Sequence, residues 1–366
     1  MNTDKLNKII KAFCLPGEIT DIKPIVTGHI NTTYRVTVEE NGIKKPYTFQ
    51  TINKYVFKNP ELVMDNILKV TTHLKKKISE AGGDPERECL TVIMSHDNLP
   101  YYIDENGEYW RVYSFVDDSY TVDVVETPAQ LESAGRGFGR FQQMLADFPM
   151  SELAETIPSF HDTELRLSQL EEAVAEDRCG RASSVADEID FFRKRKEVMC
   201  SLVKMQKEGK LPLRVTHNDT KFNNILIDNK TNEALCVIDL DTVMPGLSVH
   251  DFGDAIRFAA NSAEEDETNL EKVYLDKELY KAFTKGFISE LAGFVTDEEI
   301  RLMPLGALVI TLELASRFLA DYINGEVYFK INRDGQNLDR ARCQMKLASS
   351  MEENMDFMKK ITEEYL

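Results

Sequence analysis

Along the first third of the chain, apolar and polar residues alternate with the period of strands. "IKPIVTG" (22–28) and "TTYRVTVEE" (32–40) flank a tight turn, and "NGIKKPYTFQTI" (41–52) adds an Asn-Gly turn and a third strand. One stretch breaks the alternation. In "NPELVMDNILKVTTHLKKK" (59–77), Leu62, Ile67, Val70 and Leu74 recur at helical spacing, with Pro60 near the start. "CLTVIM" (89–94), "LPYYID" (99–104) and "EYWRVYSFV" (108–116) return to the strand pattern, with "DENGE" as the hairpin turn between the last two. The order is three strands, one helix, then more strands.

After Phe115 the period changes. "VDDSYTVDVVETPAQ" (116–130) is a polar connector, and Leu131, Ala134, Phe138, Phe141 and Leu145 then step by three and four. Helical patterns also cover roughly 163–175, 186–207, 276–292, 297–322 and 339–363. One short β island interrupts them: "NNILID" (223–228) and "ALCVIDLD" (234–241), joined by the turn "NKTNE". The pattern predicts an α+β chain of two lobes, a small β-rich one at 1–116 with one main helix and a larger, mostly helical one at 117–366.

Composition narrows the classes. The chain's 366 residues allow two or three lobes with real cores, and 42% hydrophobic and 29% charged content is that of an ordinary soluble globular protein. Its net charge of -18 is a poor match for a phosphate backbone, so no nucleic-acid partner is expected. An acidic cleft suits a cationic substrate; a plain solvated acidic surface explains the same charge more simply. The start, "MNTDKLNKII", lacks the pattern of a signal peptide. The longest apolar run, "LMPLGALVITL" (302–312), is too short to span a bilayer, so no membrane association is expected. Six cysteines at 14, 89, 179, 200, 236 and 343, with no C-x-x-C, fit free thiols in a reducing compartment, which predicts a cytoplasmic location. No protein partner is implied.

The densest chemistry lies in "RVTHNDTKFNNILID" (214–228). Asp219 and Asn224 stand five apart on a loop that leads into a strand, which points both at one small volume. A carboxylate there accepts a proton from a hydroxyl, a nearby amide oxygen holds a metal, and Lys221 puts positive charge on a transferring phosphate. These are the parts of phosphoryl transfer, where positioning and charge neutralisation carry the catalysis. His217 is expected to brace the loop. H-x-D-x-K-x-x-N is the catalytic-loop pattern of kinases, with Asn218 in the middle slot. "VIDLD" (237–241) supplies a second carboxylate, Asp239, at a strand's end and facing Asn224, which completes an oxygen-rich Mg²⁺ site.

Two stretches imitate other motifs. "HDFGD" (250–254) spells the metal-binding triplet of kinases, yet Asp251 follows Asp219 by 32 residues and no strand precedes it; the segment reads as a helix entry with Asp251 near its N-cap. "GRGFG" (135–139) lacks the spacing of a phosphate loop and falls within a helical stripe, so its small residues are expected to let helices approach closely. No G-x-x-x-x-G-K-[ST] occurs.

"GHINTTY", "LVMDNILKVTTHL", "WRVYSF", "FHDT", "RVTHNDTKFNNIL", "VIDLDTVMPG", "DFGDAIRF" and "RFLADY" together resemble the N-acetylhexosamine 1-kinase branch of the aminoglycoside phosphotransferase family, from about residue 15 to the end. The resemblance implies a two-lobed, protein-kinase-like fold whose first lobe binds nucleotide and whose second lobe is catalytic and binds sugar. It implies ATP as co-substrate, Mg²⁺ as cofactor, and a small sugar as the other partner. Asp219 would accept the proton of the anomeric hydroxyl, Asn224 and Asp239 would hold Mg²⁺, and Lys221 would reach the γ-phosphate. The turn at 27–33, with Gly28, Asn31 and Thr32, would cover the phosphates, and the hinge at 113–116, with Phe115 and Val116, would pair with adenine. His29, Phe258, Arg317 and Tyr328 would line the sugar pocket. A bland reading stands beside two of these: Arg317 pairing with Glu313 at i,i+4, and Phe258 as core.

The chain departs from the wider kinase pattern twice. The phosphate turn has one glycine, Gly28, and the third strand carries Gln50 where a kinase has its phosphate-binding Lys. The branch it resembles also carries Gln there, so inactivity does not follow. The expected activity is phosphorylation of the C1 hydroxyl of GlcNAc or GalNAc; the alternatives are a kinase of another small alcohol, of aminoglycoside, choline or homoserine type, and an inactive nucleotide-binding module.

Overall fold

The structure, a computed structural model, describes residues 3–25, 31–122 and 124–366. A short helix α1 (Thr3–Ile10) precedes three strands in a meander: β1 (Glu18–Ile25), β2 (Thr33–Glu40) and β3 (Ile43–Thr51). Asn41 and Gly42 both have positive φ (52° and 78°), as the two-residue turn between β2 and β3 requires, and the register closes on Glu40↔Ile43. Helix α2 (Pro60–Glu80) and a single turn α3 (Pro85–Glu88) follow, then β4 (Tyr102–Ile103) and β5 (Tyr109–Ser114). The five strands form one antiparallel sheet in the order β1-β2-β3-β5-β4.

Period-two alternation divides this sheet into two different faces. Val36, Val38, Tyr47, Phe49, Trp110 and Val112 pack against Leu6, Ile9 and Ile10 of α1 and Phe13 just beyond it. The neighbouring positions Gln50, Arg111 and Tyr113 point the other way, towards α2 and the second lobe. On that side Val63, Met64, Ile67, Val70, Leu74 and Ile78 of α2 join Tyr113 to Phe141, Val215, Leu240 and Val243 beyond residue 116, so one core cluster spans both lobes.

The second lobe begins with β6 (Ser119–Tyr120) and α4 (Pro128–Met144), whose start is fixed by a reciprocal Thr127–Gln130 capping box. Helices α5 (Thr163–Glu176) and α6 (Ala186–Lys207) lead to the β island of β7 (Arg214–Thr216), β8 (Ile225–Asp228), β9 (Ala234–Val237) and β10 (Met244–Gly246). β6, β8 and β9 form one small sheet and β7 pairs with β10. Then come α7 (Ser248–Ala259), α8 (Lys277–Leu291), α9 (Asp297–Ile323), α10 (Gln336–Glu353) and α11 (Met355–Glu363). α9 is long and apolar enough to cross a membrane, but 78% of its most apolar window is buried inside the fold, as befits the central helix of this lobe.

The glycines of "GRGFG" let helices approach. A Cβ on Gly135 would stand 2.6 Å from the Phe283 carbonyl oxygen, and one on Gly139 equally close to that of Phe287, both on α8. Several elements differ from the sequence expectation: β6 lies within the stretch read as a polar connector, and β7 and β10 add a second strand pair to the expected island. α1 has no counterpart in the sequence pattern. "CLTVIM" is not a regular strand: within it only Val92 makes a β-bridge, to Tyr113, held by hydrogen bonds from the Ile93 N–H to the Val112 carbonyl and from the Ser114 N–H to the Thr91 carbonyl (both 2.9 Å). The helical run 339–363 is two helices, parted at Asn354.

Candidate active site

The loop between β7 and β8 carries the predicted cluster, and a buried carboxylate holds its backbone. Asp251, 1% exposed, accepts the backbone N–H of His217 (2.8 Å) and of Asn218 (2.7 Å) and the side-chain amide of Gln142 (2.6 Å). Its own carbonyl accepts the Thr220 hydroxyl (2.5 Å). Asp251 does not cap α7, whose N-cap is Leu247; it braces the loop between β7 and β8 from the first turn of the helix. The other letters of the "DFG" triplet are packing as well. Phe252 is fully buried, and a Cβ on Gly253 would stand 2.5 Å from the Gly306 carbonyl of α9.

Asn218 takes the left-handed conformation (φ 63°), which turns the chain sharply just before Asp219. Its amide donates to the Thr242 carbonyl (2.9 Å). His217 lies edge-on to Phe138 and Phe141; its Nε2 contacts the Ile238 carbonyl (2.9 Å) and its Nδ1 the Asp219 N–H (3.3 Å). These partners put the ring proton on Nε2 and leave Nδ1 an acceptor. His217, fully buried, is a brace.

Asp219 pairs with Lys221 (2.9 Å), and the Asn224 amide donates to both its carbonyl (2.8 Å) and its carboxylate (3.2 Å). Burial works to raise the Asp219 pKa, but the charge and hydrogen bond of Lys221 outweigh it and the pKa falls below the ordinary value. Asp219 therefore stays ionised. Lys221 is held firmly charged, first by Asp219 and also by Asp254. One oxygen of Asp254 is buried without a partner among the described residues.

Asp239 follows β9 in a left-handed conformation (φ 59°). The Ile238 N–H donates to the Asn224 carbonyl (2.9 Å), which ties the two segments together. Burial, then the neighbouring charges of Asp241 and Asp219, push the Asp239 pKa up to about 6. Converging carboxylates short of cations suit a hard dication with oxygen ligands. Among the described residues no three His, Cys, Asp or Glu form a self-sufficient metal cage, so phosphate oxygens and water would have to complete the shell.

Sequence reasoning missed the polar network above this loop. Arg111, 1% exposed, makes a two-pronged ion pair with Asp241, its Nη2 lying 3.0 Å from Oδ2. Its Nε donates to Gln50 (3.2 Å), whose amide donates to Thr33 (3.1 Å). The Asn31 amide also donates to Asp241 (3.0 Å), and the Thr32 N–H bonds the Thr51 hydroxyl (3.1 Å). Gly28 and His29 lie outside the described residues. At the predicted hinge, the Phe115 N–H bonds the Pro46 carbonyl (3.3 Å), its ring lies under the Arg35 guanidinium, and the Val116 carbonyl accepts Ser119 (2.7 Å).

A second cluster adjoins the loop on the other side; its Arg317–Glu313 pair at i,i+4 is the one expected from the sequence, and its His161 contacts are not. His161 Nε2 contacts the Asn218 carbonyl (3.3 Å), and its Nδ1 meets Glu313 (3.1 Å), a buried carboxylate that also pairs with Arg317 (3.6 Å). Burial opposes the charged form of His161, but Glu313 raises its pKa overall. Burial works against the ionised Glu313 too, yet His161 and Arg317 hold its pKa down at about 2. Arg317 lies beside the rings of Phe160, Tyr328 and Phe329, and Tyr328 meets Tyr55 of the first lobe across the cleft. Arg317 and Tyr328 thus come together. Phe258 stands one turn beyond Asp254 on α7 and lines a cavity of about 340 Å³ with Val125, Arg257 and Glu265.

Several solved structures share this architecture. An aminoglycoside phosphotransferase from Alicyclobacillus acidocaldarius is 14% identical, with a TM-score of 0.62 over 98% of this chain and 96% of that one. A microcompartment-associated aminopropanol kinase is 12% identical, with a TM-score of 0.59 over 98% and 99%. A choline kinase from Cryptosporidium parvum is 18% identical, with a TM-score of 0.57 over 97% of each chain. At such identities the likeness is one of fold. The sequence itself matches the phosphotransferase enzyme family over residues 21–283, a span that holds the Arg111–Asp241 network, the loop between β7 and β8 and the Asp251 brace, and the chain belongs to that family.

Proposed function

We propose that this chain is an ATP- and Mg²⁺-dependent kinase of N-acetylhexosamines, GlcNAc or GalNAc, acting on the anomeric C1 hydroxyl to give the sugar 1-phosphate. The observation that carries the substrate class is the aromatic cluster around Arg317, linked to the Asp219 loop through Glu313 and His161. A cationic amino alcohol would meet two guanidinium groups there, Arg317 and Arg166, while the nearby Glu313 is already paired. A neutral sugar offers hydroxyl and acetamide oxygens to Arg317 and an apolar ring face to Phe160 and Tyr328. His29 and Phe258 are assigned to the acetamido side.

Asp219 orients the C1 hydroxyl through a hydrogen bond. Its low pKa makes it a weak base at rest, which suits a loose transition state in which the proton leaves late. The C1 oxygen bonds to the γ-phosphorus as the bridging oxygen of ADP departs, and the hydroxyl proton passes to the Asp219 carboxylate. Lys221 shifts from Asp219 towards the γ-phosphate as the substrates bind. Asn224 and Asp239 would hold Mg²⁺, which supplies charge neutralisation of the phosphates when bound. Gly28, Asn31 and Thr32 are assigned to the phosphates, and Phe115 and Val116 to backbone contacts with the adenine. Six unpaired thiols fit a cytoplasmic setting.

A panel of hexoses, N-acetylhexosamines, choline and aminoglycosides, assayed for ATP consumption, tests the reading. N-acetylhexosamines should be the preferred acceptors, and phosphorus NMR of the product should show an anomeric phosphate coupled to H1. A 6-phosphate product, or choline as the best acceptor, refutes it.

A further inference from the structure

In protein kinases an ion pair between a third-strand lysine and a glutamate on the helix of the first lobe must be in place before phosphates are correctly met. This chain has neither partner. Position 50 is Gln, and the buried face of α2 carries no Asp or Glu; Glu61 and Asp65 are exposed, and the buried polar residues are Thr71 and Asn66, the latter donating to the Ala154 (2.8 Å) and Val243 (3.0 Å) carbonyls.

We propose that the pair has moved as a unit, so that Arg111 is the cation that serves the nucleotide phosphates and Asp241 is the anion that holds it there. Arg111 sits directly opposite Gln50 in the β3–β5 register, one strand over from the vacated position and on the same face of the sheet. Gln50 becomes its orienting acceptor at Nε. Asp241 engages both terminal nitrogens and lies two residues beyond Asp239, so the pair fastens the metal-side loop to the first-lobe sheet. Asn31, in the turn assigned to the phosphates, donates to the same carboxylate, so phosphate turn, sheet and loop converge on one buried group. A guanidinium has five N–H donors, of which three are engaged among the described residues. Arginine also keeps its charge when buried, where a lysine loses it readily.

The inference rests on the nucleotide reading above, and binding measurements separate the two. Removing Arg111 alone leaves Asp241 buried and unpaired, a change that itself unfolds proteins. The working variant is therefore the neutral double substitution Arg111→Met with Asp241→Asn, checked for folding by its melting curve. Affinities for adenosine and for ADP are measured without Mg²⁺ by calorimetry. In the wild type ADP should bind more tightly than adenosine. In the double variant that advantage should fall by about 10- to 100-fold, the worth of one or two charge-assisted hydrogen bonds, with adenosine affinity unchanged. A second variant, Gln50→Lys with Arg111→Gln, returns a cation to the neighbouring position facing Asp241 and should restore most of the advantage. If the advantage survives in the double variant, or adenosine and ADP weaken in parallel, the pair is only a tie between lobes and the proposal fails. A wild type that binds neither ligand defeats the nucleotide reading itself.

Discussion

Replacing Asp239 with Asn should make the metal-free protein more stable while ending its response to Mg²⁺. Burial and two neighbouring carboxylates hold the Asp239 pKa at about 6, against 3.8 for a free side chain. A group with a raised folded pKa binds more protons in the folded than in the unfolded state between those values, so stability falls as pH rises from 3.8 to about 6 and the deficit is complete above that. A rise of this size corresponds to about 3 kcal/mol at neutral pH, and to about half of that at pH 5. The site opens to the cleft and water screens part of it, so about 3 kcal/mol is a ceiling. Asn has the same shape, carries no charge, and accepts the left-handed φ of 59° at this position more readily than most residues.

The assay is thermal melting in EDTA at pH 7.5 and pH 5, then with Mg²⁺ at pH 7.5. At about 2 °C per kcal/mol for a chain of this size, Asp239→Asn should melt up to roughly 6 °C above wild type at pH 7.5, with the gap about halved at pH 5. Mg²⁺ should raise the wild-type melting temperature and leave the variant where it is. A variant no more stable than wild type at pH 7.5, or a gap of equal size at both pH values, would show that Asp239 carries no electrostatic penalty and would remove the physical reason for placing a metal there.

Three further outcomes follow from the geometry. Asp219→Asn should lower turnover by about 10² to 10⁴ while ADP affinity holds; more than about a tenth of the activity remaining rules out Asp219 as the base. Glu313 raises the pKa of His161, so this contact stabilises fully below pH 6.5 and is lost as pH rises through the raised value; the melting-temperature advantage of wild type over His161→Asn should therefore be widest below pH 6.5 and shrink in alkali, and a pH-independent gap contradicts the assignment. Arg317→Leu keeps the aliphatic contact with its aromatic neighbours but removes the donors; the KM for N-acetylhexosamine should rise about 10-fold or more with that for ATP unchanged, and equal changes in both would move the acceptor site elsewhere.

What could be read from the sequence was what lies close together along it. Asp219, Lys221 and Asn224 share one loop, and Asp239 follows a recognisable strand, so their spacing alone brought them near one another. Period two and period 3.6 divided the chain into a β-rich and a helical part because each pattern is a local consequence of which face is buried. α1 and the break at Asn354 escaped for a related reason: an eight-residue helix is short for a periodic signal, and a break between two helices of similar character leaves the period intact.

The ion pairs escaped because their partners are distant. Arg111 and Asp241 are 130 positions apart, and His161 and Glu313 are 152 apart; no window of sequence contains either pair. A faint signal was nonetheless present in each case. "YWRVYS" puts an arginine inside a strand that is otherwise apolar on both faces, and "TLELAS" puts a glutamate in the middle of the most apolar helix. A charge in such a setting is stable only if an opposite charge meets it, so each isolated residue predicts a partner without naming it. The same argument explains why both pairs border the catalytic loop. Buried charges are tolerated where they fix one geometry among several, and here one pair holds the loop after β9 to the first-lobe sheet while the other holds the Asn218 carbonyl to α9. Asp219 is thereby located from two sides by groups that never touch it.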